Sequence, residues 1–452
     1  MGFSKEFVWG TAASAHQIEG MWQGDGKGRN IWDVFEQEAG HVYDGHCGTE
    51  ACDHYHRYQE DIAIMKRMGI QAYRFSLDWS RILPEGTGRV NEKGIAFYDK
   101  VINSLLNAGI EPYITLFHWE LPYELHKRGG WMNRDSAHWF GEYAKVVARY
   151  FGDRVTHFFT LNEPQCFIGL GYLKGEHAPG LRMSLEDTFL MAHNVMRAHG
   201  AAVESLREMG GEKYSIGYAP TASMCYPKSE SPEDIEAARR ALFMLPETEE
   251  DWSWNVAWWS DPVILGRYPE EGLSRYGKYL PPNFERDLDL ICQKIDVYAQ
   301  NIYNGRCIYM DAEGMPREEK RYPGFPVTAA GWPVTPECLY WGPKFLYERY
   351  QKPMYITENG MACPDVVSLD GKVHDPQRID FLARYLKCLK KAAEEIDLRG
   401  YFHWTLTDNF EWAKGYSLRF GLIYTDFPTQ KRIWKDSAYW YQDVICQNGE
   451  QL

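Results

Sequence analysis

The sequence predicts an α/β protein, a single (β/α)8 TIM barrel over residues 1–452 with long loops after its strands. Three observations carry that expectation. Short apolar, β-branched or aromatic runs recur eight times, and longer stretches with helical spacing lie between them. No Gly/Ser-rich, Pro-rich or charge-block linker divides the chain before the polar tail after Cys446. Strands that alternate with helices build a parallel sheet, and eight such units close into a barrel.

In chain order the strand candidates are residues 7–13 (FVWGTAA), 72–79 (AYRFSLDW), 112–119 (PYITLFHW) and 157–162 (HFFTLN). The second four are residues 215–219 (SIGYA), 297–303 (VYAQNIY), 354–358 (MYITE) and 401–406 (YFHWTL). Between them, residues 58–68 (YQEDIAIMKRM) and 98–108 (YDKVINSLLNA) place apolar side chains three and four apart and are each followed by Gly, a helix with its C-terminal stop. Length alone suggests about three domains at ~150 residues each. A barrel needs only ~250 residues, so the remaining ~200 are assigned to loops after the strands, chiefly 226–261 and 304–341. Catalytic groups of such a barrel sit at the carboxyl ends of its strands.

Composition narrows the function. Apolar residues make up 44% and charged residues 25%, so a large core is available and a disordered or disulfide-scaffold chain is excluded. The formal net charge of −14 argues against a nucleic-acid partner held by its phosphates. The chain has no run of 18 or more apolar residues, and its N-terminus, Met1-Gly-Phe-Ser-Lys-Glu, lacks a basic region followed by an apolar stretch, so neither a membrane span nor an export signal is expected. Ten scattered cysteines without a C-x-x-C pair fit reduced thiols in a cytoplasm. Aromatic residues reach 15%; a big core accounts for most of them, and an amphipathic platform for sugar rings is the functional alternative.

The fourth and seventh strand candidates end in Thr160-Leu-Asn-Glu-Pro164 and Ile356-Thr-Glu-Asn-Gly360. One strand-end Glu is ordinarily a solvated carboxylate or a helix cap. Two on opposite sides of a barrel are different, because Glu163 and Glu358 can then face one another across a pocket. Paired carboxylates flanking a sugar ring perform glycoside hydrolysis, one as proton donor and the other as base or nucleophile.

Here the sequence resembles a known family. Thr160-Leu-Asn-Glu-Pro164 is similar to the acid/base motif of family 1 glycoside hydrolases, and Ile356-Thr-Glu-Asn-Gly360 to that family's nucleophile motif. The resemblance continues through residues 7–20 (FVWGTAASAHQIEG), 53–57 (DHYHR), 74–81 (RFSLDWSR), 116–122 (LFHWELP), 177–180 (HAPG) and 408–421 (DNFEWAKGYSLRFG). It implies a retaining β-glycosidase of the β-glucosidase type that needs no metal and no organic cofactor. Glu163 is then the general acid/base and Glu358 the nucleophile, supported by Arg74, Asn301 and Tyr303. Gln17, His118, Trp119, Asn162, Trp404, Glu411 and Trp412 match positions that hold the terminal sugar, and Trp332 the leaving-group side. Amide, imidazole and carboxylate groups pair with adjacent hydroxyls, while indole faces pack on the C–H side of the ring.

Within the family, members that take 6-phosphorylated sugars carry Ser at the Glu411 position and Lys and Tyr in the turn that follows. This chain has Glu411, then Leu418 and Phe420, so an unphosphorylated sugar is expected, with Phe420 in the binding set and the Glu411 charge repelling a phosphate. Glu163, rather than the Gln of plant thioglucosidases, implies ordinary O-glycosides. Pro333 and Thr335 depart from the commonest pattern beside Trp332 and leave the leaving-group preference open. Trp252, Trp254, Trp258 and Trp259 either wall that outer region or anchor their loop.

Two other signals carry no site. His46, Cys47, Cys52, His54 and His56 have C-x4-C spacing, which is not a zinc pattern, and Asp53 reads instead as a helix cap. Gly24-Asp-Gly-Lys-Gly28 lacks the spacing and the preceding strand of a dinucleotide cradle. The expected function is hydrolysis of terminal non-reducing β-D-glucosyl residues from small-molecule glycosides and short oligosaccharides. The alternatives are a β-galactosidase or β-fucosidase, and a carbohydrate-binding barrel without chemistry. No nucleic-acid or membrane partner is expected, and the sequence leaves the oligomeric state open.

Overall fold

Eight parallel strands close on themselves in sequence order in the computed structural model, which describes residues 2–20 and 23–452. Met1, where the N-terminal stretch begins, lies outside the described residues. The barrel strands are Val8–Ala13, Ala72–Ser76, Glu111–Phe117, His157–Asn162, Ser215–Ala219, Val297–Asn301, Met354–Asn359 and Leu398–Trp404. The first strand closes the ring by pairing with the second (Gly10 opposite Ala72) and with the eighth (Val8 opposite Gly400).

All eight expected strands form, the fourth and fifth with the expected limits and the others with shifted ends. The second stops at Ser76 because the Asp78 carboxylate accepts from the amides of Ser80 and Arg81 and starts the helical turn Trp79–Ile82. The eighth begins at Leu398 and ends at Trp404, two residues short of the expected limit. The two expected helices are longer toward their N-termini, His54–Met68 and Glu92–Ala108, and both stop where expected, at Gly69 and Gly109 with φ of 76° and 77°. Asp53 precedes the first of these but does not cap it through its side chain. Its backbone is left-handed, and its carboxylate meets His56 Nδ1 at 2.6 Å instead of a first-turn amide.

The long loops fold together. Met224–Pro227 pairs in parallel with Gly305–Met310, which pairs antiparallel with Pro316–Glu318, so the two longest insertions share a small sheet beside the helix Pro232–Phe243. Most of the aromatic excess is core: Trp9, Trp32, Trp79, Trp131, Trp252, Trp258 and Trp259 are fully buried. Trp252 stacks on Phe189 at 4.0 Å and Trp258 packs on Tyr268 at 4.7 Å, so these residues anchor their loop. Tyr113, Phe159, Tyr355 and Phe402 fill the bore beneath the site. Among the described residues no helix is long and apolar enough to cross a membrane.

The loop after the eighth strand is tied down by buried charges. Lys435 Nζ bridges Asp408 at 2.7 Å and Asp365 at 2.5 Å, and Arg378 pairs with Asp365 at 2.7 Å and with Asp375. That loop carries Glu411 and Trp412.

Candidate active site

The carboxyl ends of the barrel strands open into a cavity of about 440 Å³. Glu163 follows the fourth strand at the N-cap of the helix Pro164–Ile168, with Pro164 in the first helical position, where its missing N–H costs nothing. Its backbone is left-handed, φ 46°. Trp119 (φ 91°) and Trp412 (φ 51°) share that rare feature for a side chain with Cβ, a local strain typical of functional sites. Glu358 lies in the seventh strand, two residues before Gly360. A Cβ on Gly360 would stand 1.9 Å from the Trp404 carbonyl oxygen, so only glycine lets the seventh and eighth strands approach there.

Hydrogen bonds give the two carboxyls different surroundings. Glu358 Oε1 accepts from Arg74 Nη1 at 2.6 Å and Oε2 from the Tyr303 hydroxyl at 2.7 Å. Burial raises its pKa, and Arg74, Tyr303 and Asn301 oppose that rise. Glu163 receives Asn301 Nδ2 at 2.8 Å and the Cys166 thiol at 3.2 Å, but it has no cation in contact. Burial and then the Glu358 charge push it up to about 7. Glu358 thus has a cation and a hydroxyl donating to its carboxyl, whereas Glu163 has an amide and a thiol.

Asn162 organises the floor. Its Oδ1 accepts from Arg74 Nη2 at 2.5 Å and Asn301 Nδ2 at 3.0 Å, so its amide nitrogen is left to donate to His118 Nε2 at 3.0 Å. Burial and the Arg74 charge hold His118 well below the usual imidazole range. A neutral ring accepting at Nε2 carries its proton on Nδ1, which is buried and has no hydrogen-bond partner among the described residues. Gln17 Nε2 donates to Glu411 Oε2 at 3.1 Å and to the Phe410 carbonyl at 3.0 Å, while Ser14 donates to Gln17 Oε1.

Burial, followed by repulsion from Glu358, pushes the Glu411 pKa up to about 8, so this carboxyl favours its neutral form more than an ordinary Glu does. The apolar Leu418 and Phe420 line the cavity and offer no donor.

The structure brings the sequence-derived set together in two shells. Glu163, Glu358, His118, Trp119, Tyr303, Trp332, Trp404, Glu411, Trp412 and Phe420 line the cavity, and Trp332, 38% exposed, stands at its mouth. Gln17, Arg74, Asn162 and Asn301 do not line it; they are fully buried behind it and hold the lining groups. Of the loop tryptophans only Trp254 reaches the cavity, so the loop both anchors itself and supplies one wall residue. Cys166, Glu176, His177, Thr221, Asn304 and Lys414 also line it without having been assigned. His177 and Lys414 lie in stretches that resemble the family, whereas nothing local marks the others.

The histidine and cysteine cluster near residue 50 has ordinary partners. His54 Nδ1 meets Asp61 at 2.7 Å, and Cys52 donates to the Asp408 carbonyl at 3.0 Å. A different trio, His16, Asp33 and Glu36, brings its ligand-type atoms within 4.8 Å. It is bound up in ion pairs: Lys27 Nζ lies 2.6 Å from Asp33, and His16 Nε2 lies 3.2 Å from Glu36. Burial works against charge on His16, but the Glu36 bond and the charges of Glu36 and Asp33 outweigh it and raise its pKa.

A family model described as glycosyl hydrolase family 1 matches residues 1–450. The chain is a family 1 glycosyl hydrolase. As a member of that family it is an enzyme acting on glycosidic bonds. This family 1 chain is 45% identical over 449 residues to beta-glucosidase A of Thermotoga maritima, covering 99% of the chain and 98% of that protein. It is 38% identical over 474 residues to a bifunctional beta-D-glucosidase/beta-D-fucosidase of Bifidobacterium breve, covering 99% of each. The Thermotoga maritima beta-glucosidase solved in complex with glucoimidazole superposes with a TM-score of 0.90 at 45% identity, covering 99% of both chains.

Proposed function

We propose that this family 1 enzyme is a retaining β-glucosidase, a single catalytic domain over residues 1–452 that removes terminal non-reducing β-D-glucosyl residues from glycosides and short oligosaccharides. One observation carries the reading: Glu358, held by Arg74 and Tyr303, shares a cavity with Glu163, whose proton is retained by burial and by the Glu358 charge.

In the first step a Glu358 oxygen attacks the anomeric carbon, the bond to the leaving oxygen breaks, and Glu163 gives that oxygen its proton. The new ester removes the Glu358 charge, so Glu163 becomes more acidic and its ionised form prevails. In the second step a water attacks the same carbon, Glu163 takes the water's proton, and the ester bond breaks to return Glu358 as a carboxylate. Attack on opposite faces in turn leaves the product with the starting anomeric configuration. Glu411 and His118, the latter held from behind by Asn162, suit the sugar hydroxyls, and Trp404, Trp412 and Trp119 its apolar face. The names of the Thermotoga maritima and Bifidobacterium breve relatives support glucose as the principal sugar, with fucose as a second substrate. All ten cysteines are free thiols, which supports residence in a reducing cytoplasm.

A panel of nitrophenyl β-D-glycosides, with the first-formed product anomer followed by proton NMR, tests this. Glucoside turnover giving β-glucose first is expected. An α-anomer as first product, or no glycoside turned over, overturns it.

A further inference from the structure

Glu163 is gripped from two sides by donors of unequal strength. Asn301 Nδ2, at the end of the sixth strand, donates to Oε1 at 2.8 Å, and the Cys166 thiol reaches Oε2 at 3.2 Å. The second contact is set by local backbone. Cys166 lies one turn into the helix that Glu163 caps, its amide donates to the Glu163 carbonyl at 2.9 Å, and the left-handed Glu163 backbone brings the carboxyl over that turn. Cys166 is 7% exposed and borders the cavity.

We propose that Cys166 is a positioning residue for Glu163, its thiol donating to Oε2 so that the carboxyl plane is fixed between Asn301 and Cys166 and the ionised form is favoured. This rests on the reading of Glu163 as the acid/base. A carboxylate accepts a hydrogen bond better than a neutral carboxyl does, so a constant donor makes Glu163 a stronger acid and offsets part of its burial. The thiol can serve throughout, because burial and the neighbouring carboxylates hold its own ionisation well above the ordinary range. A serine here would donate more strongly, and an apolar side chain would leave Oε2 without a donor from the chain. Cys166 thus tunes both the proton donation of the first step and the proton uptake of the second, without touching the sugar's reacting carbon.

The test is the pH dependence of kcat/KM on an aryl β-glucoside with a poor leaving group, for the parent enzyme, Cys166→Ala, Cys166→Val, Cys166→Ser and Glu163→Gln. The basic limb is expected to move up by about half a pH unit in Cys166→Ala and Cys166→Val, to stay at or slightly below the parent in Cys166→Ser, and to vanish in Glu163→Gln. Cys166→Val keeps the buried volume, and circular dichroism identifies folded variants, so Val and Ser decide the matter if Ala does not fold. A limb that vanishes in Glu163→Gln but does not move upward in the apolar variants overturns the role of Cys166 and leaves Glu163 as acid/base. A limb that survives in Glu163→Gln overturns the reading of Glu163 itself.

Discussion

The Arg74 guanidinium donates to Glu358 Oε1 through Nη1 at 2.6 Å, both side chains being almost wholly buried. The same guanidinium reaches Asn162 Oδ1 through Nη2 and Thr115 Oγ1 through Nε, so one planar group fixes the proposed nucleophile and the floor of the sugar site together. A lysine can supply the charge but not that fork.

Arg74→Met is therefore expected to lower kcat/KM by about 10²- to 10³-fold, the usual range for losing one preorganised donor. The sign of the pH effect follows from the charge. Without Arg74 the Glu358 carboxyl is harder to ionise, so the acidic limb of kcat/KM moves to higher pH. Arg74→Lys should restore part of the limb's position but little of the rate. Stopped-flow or steady-state pH profiles check both, and an acidic limb left in place in Arg74→Met would refute the pairing's role.

Glu163→Gln separates proton donation from nucleophilic attack. The amide keeps the volume and can still accept from a neighbour but cannot give up a proton, so leaving groups that need protonation should lose about 10²- to 10⁴-fold. Activated leaving groups such as dinitrophenol should lose much less in the first step. A plot of log kcat/KM against leaving-group pKa should steepen in the variant. Equal loss across the series would remove Glu163 from that role.

Glu411 tests the choice of sugar. Glu411→Ser removes a partly buried partner of Gln17 and of the proposed sugar hydroxyls, and should cost about 10- to 100-fold in glucoside kcat/KM, as expected for losing one or two strong hydrogen bonds. It should not create activity on 6-phosphoglucosides, because Leu418 and Phe420 supply no donor where the phosphate-taking members carry Lys and Tyr. Kinetics on an aryl glucoside and its 6-phosphate, measured in parallel, decide this; a variant that prefers the phosphate would show that Glu411 alone sets the specificity.

Much of this site is legible in the sequence because barrel strands are short, apolar and numerous, and because their carboxyl ends are where Glu163 and Glu358 occur. The limits are local. The second strand yields to a helical turn because Asp78 offers its carboxylate to two amides, a competition invisible to apolar periodicity. Gln17, expected among the sugar-binding residues, is fully buried and makes four polar contacts within the chain, one of them to Glu411, none of which its residue type foretells. Cys166 escapes notice because its contact depends on the left-handed backbone of Glu163, a conformation that residue type alone does not foretell. The Glu411 protonation state likewise arises from assembled burial and from Glu358, which is distant in sequence.

The charge cluster beneath the Glu411 loop gives the last prediction its pH signature. Lys435 is fully buried between Asp408 and Asp365. Lys435→Met removes the cation and leaves both carboxylates in the interior with less compensation, a change that typically costs about 3–5 kcal/mol. Burial alone would raise the Asp365 pKa, but Lys435 and Arg378 outweigh it and hold it below 3.8. A depressed carboxylate contributes stability that is present above the unfolded-state value and is lost as pH falls through the folded one. Without Lys435 the Asp365 carboxylate regains its proton more easily, and a neutral acid no longer requires the cation. The stability gap between parent and variant should therefore be widest near neutral pH and narrow as pH falls toward 4 and below. Unfolding midpoints in urea, taken at several pH values, measure that gap. A gap independent of pH would assign the loss to packing of the lysine stem rather than to its charge.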